Sequence, residues 1–212
     1  MRKWIPALLI IAAVVISIVA YPKLPEQIPT HWGANGEANG WSSRFWGAWL
    51  VPLVMAGMWV LFRALPHLDP RKENYEKFAG TYDLVIILVL AFLLFMHTAV
   101  IAAGTGHAIN MNKFAMPGVG AFIAIMGVLI SRAAPNWFVG IRTPWTLTSD
   151  ESWVKTHKLG GPLFVALGVL MIASTFIAPQ RSIVLLVVAA IAIVAFLFYY
   201  SYRVWKTDPL KR

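Results

Sequence analysis

Hydrophobic residues fall into six long blocks along this chain, at residues 4–21, 46–65, 81–103, 114–130, 162–178 and 183–202, with the polar residues gathered between them. A helix rises about 1.5 Å per residue and the hydrocarbon core of a bilayer is roughly 30 Å thick, so about 20 mostly apolar residues suffice to cross it. Each block therefore predicts a membrane-spanning helix. The first follows Arg2 and Lys3, as the apolar core of a signal peptide would, but its run is longer and no small-residue cleavage site precedes Pro22. It reads as a retained helix. The predicted fold is all-α, a single six-helix membrane domain over 1–212. It divides into the first two helices with their loop (1–65, loop 22–44), helices three and four (66–131), a loop with an interfacial helix (132–161), and helices five and six with a basic tail (162–212).

Three polar stretches carry most of the remaining pattern. In the first loop, Pro22, Pro25 and Pro29 oppose a helix and favour an extended path, and the pairs Asn35-Gly36 and Asn39-Gly40 predict tight turns flanked by Trp32 and Trp41. A small ordered cap on the membrane surface is expected. His31, Glu26 and Glu37 in this loop lack the spacing of a metal site, and no metal or other cofactor is expected.

The second stretch runs from Pro135 to Gly161. Thr148 followed by Glu151 matches a capping box, which predicts a short interfacial helix over 149–159 with Trp153 and His157 on one face and a turn at Gly160-Gly161-Pro162 into the fifth span. Ahead of it, Pro144 should hold Arg142 to Trp145 extended. The third stretch, Leu68 to Phe78, has Asp69 placed as an N-cap with Pro70 at the first helical position, and pairs Glu73 with Lys77 on a helix that continues into the third span.

Composition supports the membrane assignment and charge adds an orientation. Hydrophobic residues make up 59% of the chain and charged residues 13%, about half the charged share of a soluble domain. There is no Cys, which excludes disulfides and Cys-based metal sites. The formal net charge of +9 would suggest nucleic acid in a soluble protein, but the loops divide it unevenly. Of 18 Lys and Arg, only Lys23, Arg44, Lys113 and Arg181 fall on the side of the first loop. Positive charge marks the cytoplasmic side, so both termini are expected there, with attraction to anionic lipid and no direct nucleic acid binding. Trp and Tyr near the block ends suit the headgroup region.

The spans themselves are nearly free of ionisable groups. His97 is deep in the third and Asp83 near its end, with no ion-coupling apparatus of the kind a pump needs. A neutral His97 hydrogen-bonded to a neighbouring helix is expected. Gly120, Ala124 and Gly127 recur at helical spacing and should let another helix approach closely, and Pro52, with Ala48 and Ala56 on the same face, suggests an accommodated kink. No partnered nucleophile, phosphate-binding glycine loop or zinc-protease motif is present, and no enzyme activity is expected.

The residues Leu24 to Trp41 resemble the extracytoplasmic signature of a bacterial membrane domain of unknown function, and Asp69-Pro-Arg-Lys-Glu-Asn-Tyr75 resembles its following loop. Gly140-Ile-Arg-Thr-Pro-Trp-Thr-Leu-Thr-Ser-Asp-Glu-Ser-Trp153, with Thr156-His157 and Gly160, is similar to the hallmark of the SdpI family of toxin-immunity membrane proteins. The resemblance implies a six-span protein of the bacterial plasma membrane that protects its cell from a secreted peptide toxin. It also implies a receptor role in which a cytoplasmic transcriptional repressor is held at the membrane. On that footing Glu26, Pro29, His31, Trp32, Asn35, Gly36 and Trp41 are candidate toxin contacts. Arg142, Thr143, Pro144, Trp145, Trp153 and His157 are candidates for the signature or partner face. A small-molecule or lipid transporter and a membrane-bound enzyme are the alternatives.

Overall fold

A computed structural model of the chain describes residues 4–33, 35–177 and 179–210. Arg2, Lys3, Lys211 and Arg212 of the charge pattern, Ala34 in the first loop and the 178 end of the fifth block lie outside the described residues, as does the side chain of Arg181. The elements are helix α1 (Ile5–Ala20), strands β1 (Gln27–Trp32) and β2 (Ala38–Ser43), and helices α2 (Arg44–Leu68), α3 (Asn74–Lys77), α4 (Ala79–Gly104), α5 (Met111–Ile130), α6 (Pro144–Thr148), α7 (Asp150–Ile177) and α8 (Pro179–Thr207). Among the described residues six helices are long and apolar enough to cross a membrane, at Ile5–Lys23, Arg44–Leu68, Ala79–Gly104, Lys113–Ile130, Asp150–Phe176 and Ile183–Thr207. Each corresponds to one of the six apolar blocks.

The fold departs from all-α in the first loop, where β1 and β2 form an antiparallel hairpin. The expected extended path is there, but Pro22 sits inside a 3-10 turn over Tyr21–Lys23, which a fixed φ near −65° accommodates. Of the two Asn-Gly pairs only the first makes the turn, with Gly36 at φ +81°. Gly40 instead lies in β2 opposite His31, beside irregular register that bends the ribbon. Strands win here because Thr30, Trp32 and Trp41 suit a pleated surface and Pro29 occupies a ribbon of two edge strands.

Two helical groups form the bundle. In the first, α1, α2 and α4 share a core that includes Ala13, Met55, Phe62, Val85 and Leu90. His97, fully buried in α4, bonds Ser17 of α1 at 3.0 Å, and Ser17 donates to the Ala48 carbonyl of α2 at 2.6 Å. This is the interhelical bond expected of His97, and it joins three helices through one polar chain. In the second group α5 and α7 approach to backbone contact. A Cβ on Gly120 would lie 2.6 Å from the Gly168 carbonyl oxygen, and one on Gly127 2.7 Å from that of Gly161. The small-residue stripe on α5 thus packs as expected, against a matching stripe of Gly161 and Gly168 on α7.

That second stripe overturns the interfacial helix. Asp150–Ile177 is one continuous helix that includes Gly160, Gly161 and Pro162, so no turn separates a surface helix from the fifth span. Without water to compete for backbone groups, glycine and proline are tolerated inside a spanning helix. Here the glycines admit neighbours: Gly161 faces Gly127 and Ser131, and Gly160 faces Ile141 and Leu197. The cap is also one residue later than expected. Ser149 Oγ accepts from Ser152 N, while Thr148 ends α6 and bonds back to the Pro144 carbonyl.

Candidate functional site

The sequence motifs collect at the two ends of the bundle. At the hairpin end the anchor is Ile28, fully buried on β1. Its side chain fills notches left by two glycines: a Cβ on Gly47 of α2 would meet Ile28 Cδ1 at 2.3 Å, and one on Gly104 of α4 would meet Ile28 Cγ2 at 3.1 Å. With Leu24, Ala20, Ala48 and Ile101 it makes a small core that ties the hairpin to three helices. The outward residues are held loosely by comparison. His31 Nδ1 lies 2.6 Å from Asn39 Oδ1, and Asn35 donates to Glu37 at 2.7 Å. Trp32 is half-buried, Pro29 pairs opposite Trp41, and Trp41 is 58% exposed. Glu26 projects outward while its carbonyl accepts from Arg44 N. Asn35 and Gly36 form the tip. The seven candidate contacts therefore share one small cap, with Phe45 and Trp46 exposed at its base.

At the opposite end three segments lock together. Asp69, 3% exposed, accepts from Arg71 N, Tyr75 OH and, across the loops, Trp137 N. It caps the end of α2 and is no N-cap: residues 70–73 form turns, α3 is a single turn, and Phe78 interrupts the path into α4. The buried carboxylate is worth more bridging to the 137 backbone than starting a helix. The expected Glu73–Lys77 pair gives way to Lys77 donating to Asn74. Burial and the adjacent Asp69 carboxylate push the Tyr75 hydroxyl well above its ordinary pKa, which keeps it a donor. Arg71 pairs with Asp150 and donates to the Leu147 carbonyl, and Asn74 donates to Pro135.

The signature segment folds around its own polar residues. Asn136, 1% exposed, accepts from the backbone N–H groups of Phe138 and Val139 and donates to the Val139 carbonyl. Trp153 is fully enclosed, with its indole N–H on the Ala133 carbonyl at 2.8 Å, and stacks on His157 with ring centroids 4.0 Å apart. His157 Nε2 accepts from Ile141 N at 2.8 Å and Nδ1 faces the Trp153 carbonyl at 2.8 Å. Those partners require the neutral ring with its proton on Nδ1. Gly140 permits the stack, because a Cβ there would lie 2.4 Å from His157 Nε2, and its φ of +136° suits glycine alone.

Pro144 does not hold Arg142 to Trp145 extended; it opens α6, with Thr143 as N-cap in a reciprocal pair with Thr146. Pro at the first helical position is favourable because its missing N–H would be unpaired there anyway. Thr143 also bonds Ser201, Ser152 donates to the Ser201 carbonyl, and Ser149 donates to Asp208. Trp145 packs edge-on against Phe198 and lies 5.1 Å from Tyr202. Arg142 is exposed and donates to the Trp137 carbonyl at 3.1 Å. Of the six candidates, four are consumed in packing and hydrogen bonding, and Arg142 and Pro144 face outward. Sequence reasoning missed Asp69, Asn136, Ser201 and Asp208 as organisers. For the first two the signal was a lone Asp or Asn beside a proline at a span end.

Six spanning helices, a hairpin cap at one end and an interlocked motif plug at the other define a multi-pass α-helical membrane protein. Residues 132–201 match the SdpI/YfhL protein family, and residues 8–56 match a domain of unknown function, DUF1648. The chain is 26% identical over 207 residues to the immunity protein SdpI of Bacillus subtilis (strain 168), covering 97% of both chains. Its signature segment is thus similar to the SdpI/YfhL family, and the chain as a whole is similar to an immunity protein of that name. No solved structure matches it.

Proposed function

We propose that this protein confers immunity to a secreted antimicrobial peptide, acting at the bacterial plasma membrane with its hairpin cap outside and both termini in the cytoplasm. The observation that carries the reading is the likeness to an immunity protein over 97% of both chains, which includes both the cap and the signature segment. The charge bias supports the orientation. The cap supports the place of contact: Trp32, Trp41, Phe45 and Trp46 surround a rigidly seated hairpin, and rigid aromatic side chains suit an amphipathic peptide at the membrane surface. A repressor-holding receptor role has less surface to work with at the other end, because Trp145, Trp153 and His157 are occupied within the protein.

The test is survival. A toxin-sensitive bacterial host expressing the chain should grow at peptide concentrations that kill the parent, and unchanged killing by every related peptide toxin would sink the reading. Because the chain has no native Cys, single cysteines introduced at Asn35 and at Thr148 report the orientation. Impermeant maleimide added to intact cells should label the first and spare the second.

A further inference from the structure

We infer that the groove beside the signature plug is a binding site for an anionic phospholipid, with the headgroup on Arg142 and an acyl chain along the apolar wall. The groove has a volume of about 570 Å³ and is lined by α4 (Val85, Val89), α5 (Phe122, Met126), α7 (Phe164) and α8 (Val194). That size is in the range of ligand pockets, roughly 300–1,000 Å³. Val194 is 58% exposed, so the groove opens on the face that meets lipid. Among the described residues that line it, Arg142 is the single charged side chain, placed where the groove meets the signature loop.

Charge complementarity selects the occupant. Among the described residues Arg142 has one hydrogen bond to protein, to the Trp137 carbonyl, and no ion pair with a carboxylate. The acids of this end are placed elsewhere: Asp69 bonds backbone and Tyr75, Asp150 pairs with Arg71, Glu151 with Lys155, Asp208 accepts from Ser149, and Glu73 is exposed at the start of α3. Glu76 and Asp83 line a separate pocket with Arg63 and His67. A guanidinium fixed over apolar walls without a protein counter-anion matches a phosphodiester, which it can bind with two parallel hydrogen bonds. The loop that presents it is held on both sides of Arg142, at Ile141 by His157 and at Thr143 by Ser201, so little backbone order remains to be imposed on binding.

The experiment reconstitutes the full chain in vesicles of equal parts phosphatidylglycerol and phosphatidylcholine, extracts it in mild detergent, and counts retained lipids by native mass spectrometry. The wild type should retain phosphatidylglycerol in preference. Arg142→Gln should lower that retention about tenfold, the loss of a charge-assisted contact, at an unchanged melting temperature. Val194→Trp, which fills the groove from the lipid side and leaves the charge in place, should lower it as well. Equal retention of the two lipids by the wild type, or no effect of Arg142→Gln, would overturn the proposal. So would a Val194→Trp protein that keeps its phosphatidylglycerol, since Arg142 would then be acting as a surface charge without the groove.

Discussion

The hairpin cap and the signature plug are built by opposite means. The cap is held by one aliphatic side chain in two glycine notches, and its polar residues bond mainly to each other. The plug is held by polar side chains, most of them buried, that reach across 58 to 79 positions of sequence, with Asp69 on Trp137, Arg71 on Asp150 and Thr143 on Ser201. A site that depends on many satisfied polar bonds tolerates little change at any member, because each loss strands a buried partner. A site hung from one hydrophobic anchor leaves its outward residues free to vary. The interlocked polar bonds therefore mark the plug as architecture, and on the proposed function the cap is the surface where recognition has room.

The sharpest way to break the plug is Gly140→Ala. The added Cβ would press into the His157 and Trp153 rings, and the positive φ forbids relief by local rotation. The expected cost is about 4 kcal/mol or more, enough to abolish folded protein. Thermal unfolding and yield in detergent check it, and a variant that melts within a few degrees of the wild type would refute the account of the stack.

For the cap the matching change is Ile28→Ala, expected to cost about 2–4 kcal/mol from lost burial and the cavity left behind. The loss should be local. Trypsin cleavage at Lys23 and Arg44 should accelerate while the helical bundle stays intact, because α1, α2 and α4 keep their own core and the His97 to Ser17 link.

His157→Phe separates shape from hydrogen bonding within the plug. The aromatic stack on Trp153 survives, but Ile141 N–H loses its acceptor beside a buried ring, at a cost of about 1–3 kcal/mol. Hydrogen exchange at the Ile141 amide should rise, and protection there equal to the wild type would show that the ring serves packing alone.

How much of this was legible follows from the range of the forces. The six spans were readable because the bilayer imposes a length on each apolar block independently of its neighbours. The α5 stripe was readable because Gly120, Ala124 and Gly127 lie on one helix, whereas its partner Gly161 and Gly168 was masked by the expectation that Gly-Gly-Pro breaks a helix, a rule for water. The hairpin was half visible: its turn at Asn35-Gly36 was anticipated, its strands were not. What local pattern could not reveal is the pairing of distant polar residues. Asp69 looked like a helix start because its partner at 137 is invisible in its own neighbourhood, and the Trp145 motif looked like a surface because Phe198 and Tyr202 lie 53 and 57 positions further along the chain.

The smallest expected effect on stability sharpens the comparison most. Trp41→Ala removes a side chain that is 58% exposed and lies outside the core around Ile28, so the melting temperature should shift by the equivalent of about 0.5 kcal/mol or less. Survival against toxin should nonetheless fall sharply if recognition lies on the cap, since an exposed rigid aromatic is the kind of residue on which binding energy concentrates. Thr156→Val in α7 provides the control from the plug side: it is a buried change remote from the cap, and protection should track only the amount of folded protein. A Trp41→Ala protein with full protection, beside a Thr156→Val protein that is abundant yet unprotective, would exchange the roles assigned to the two ends.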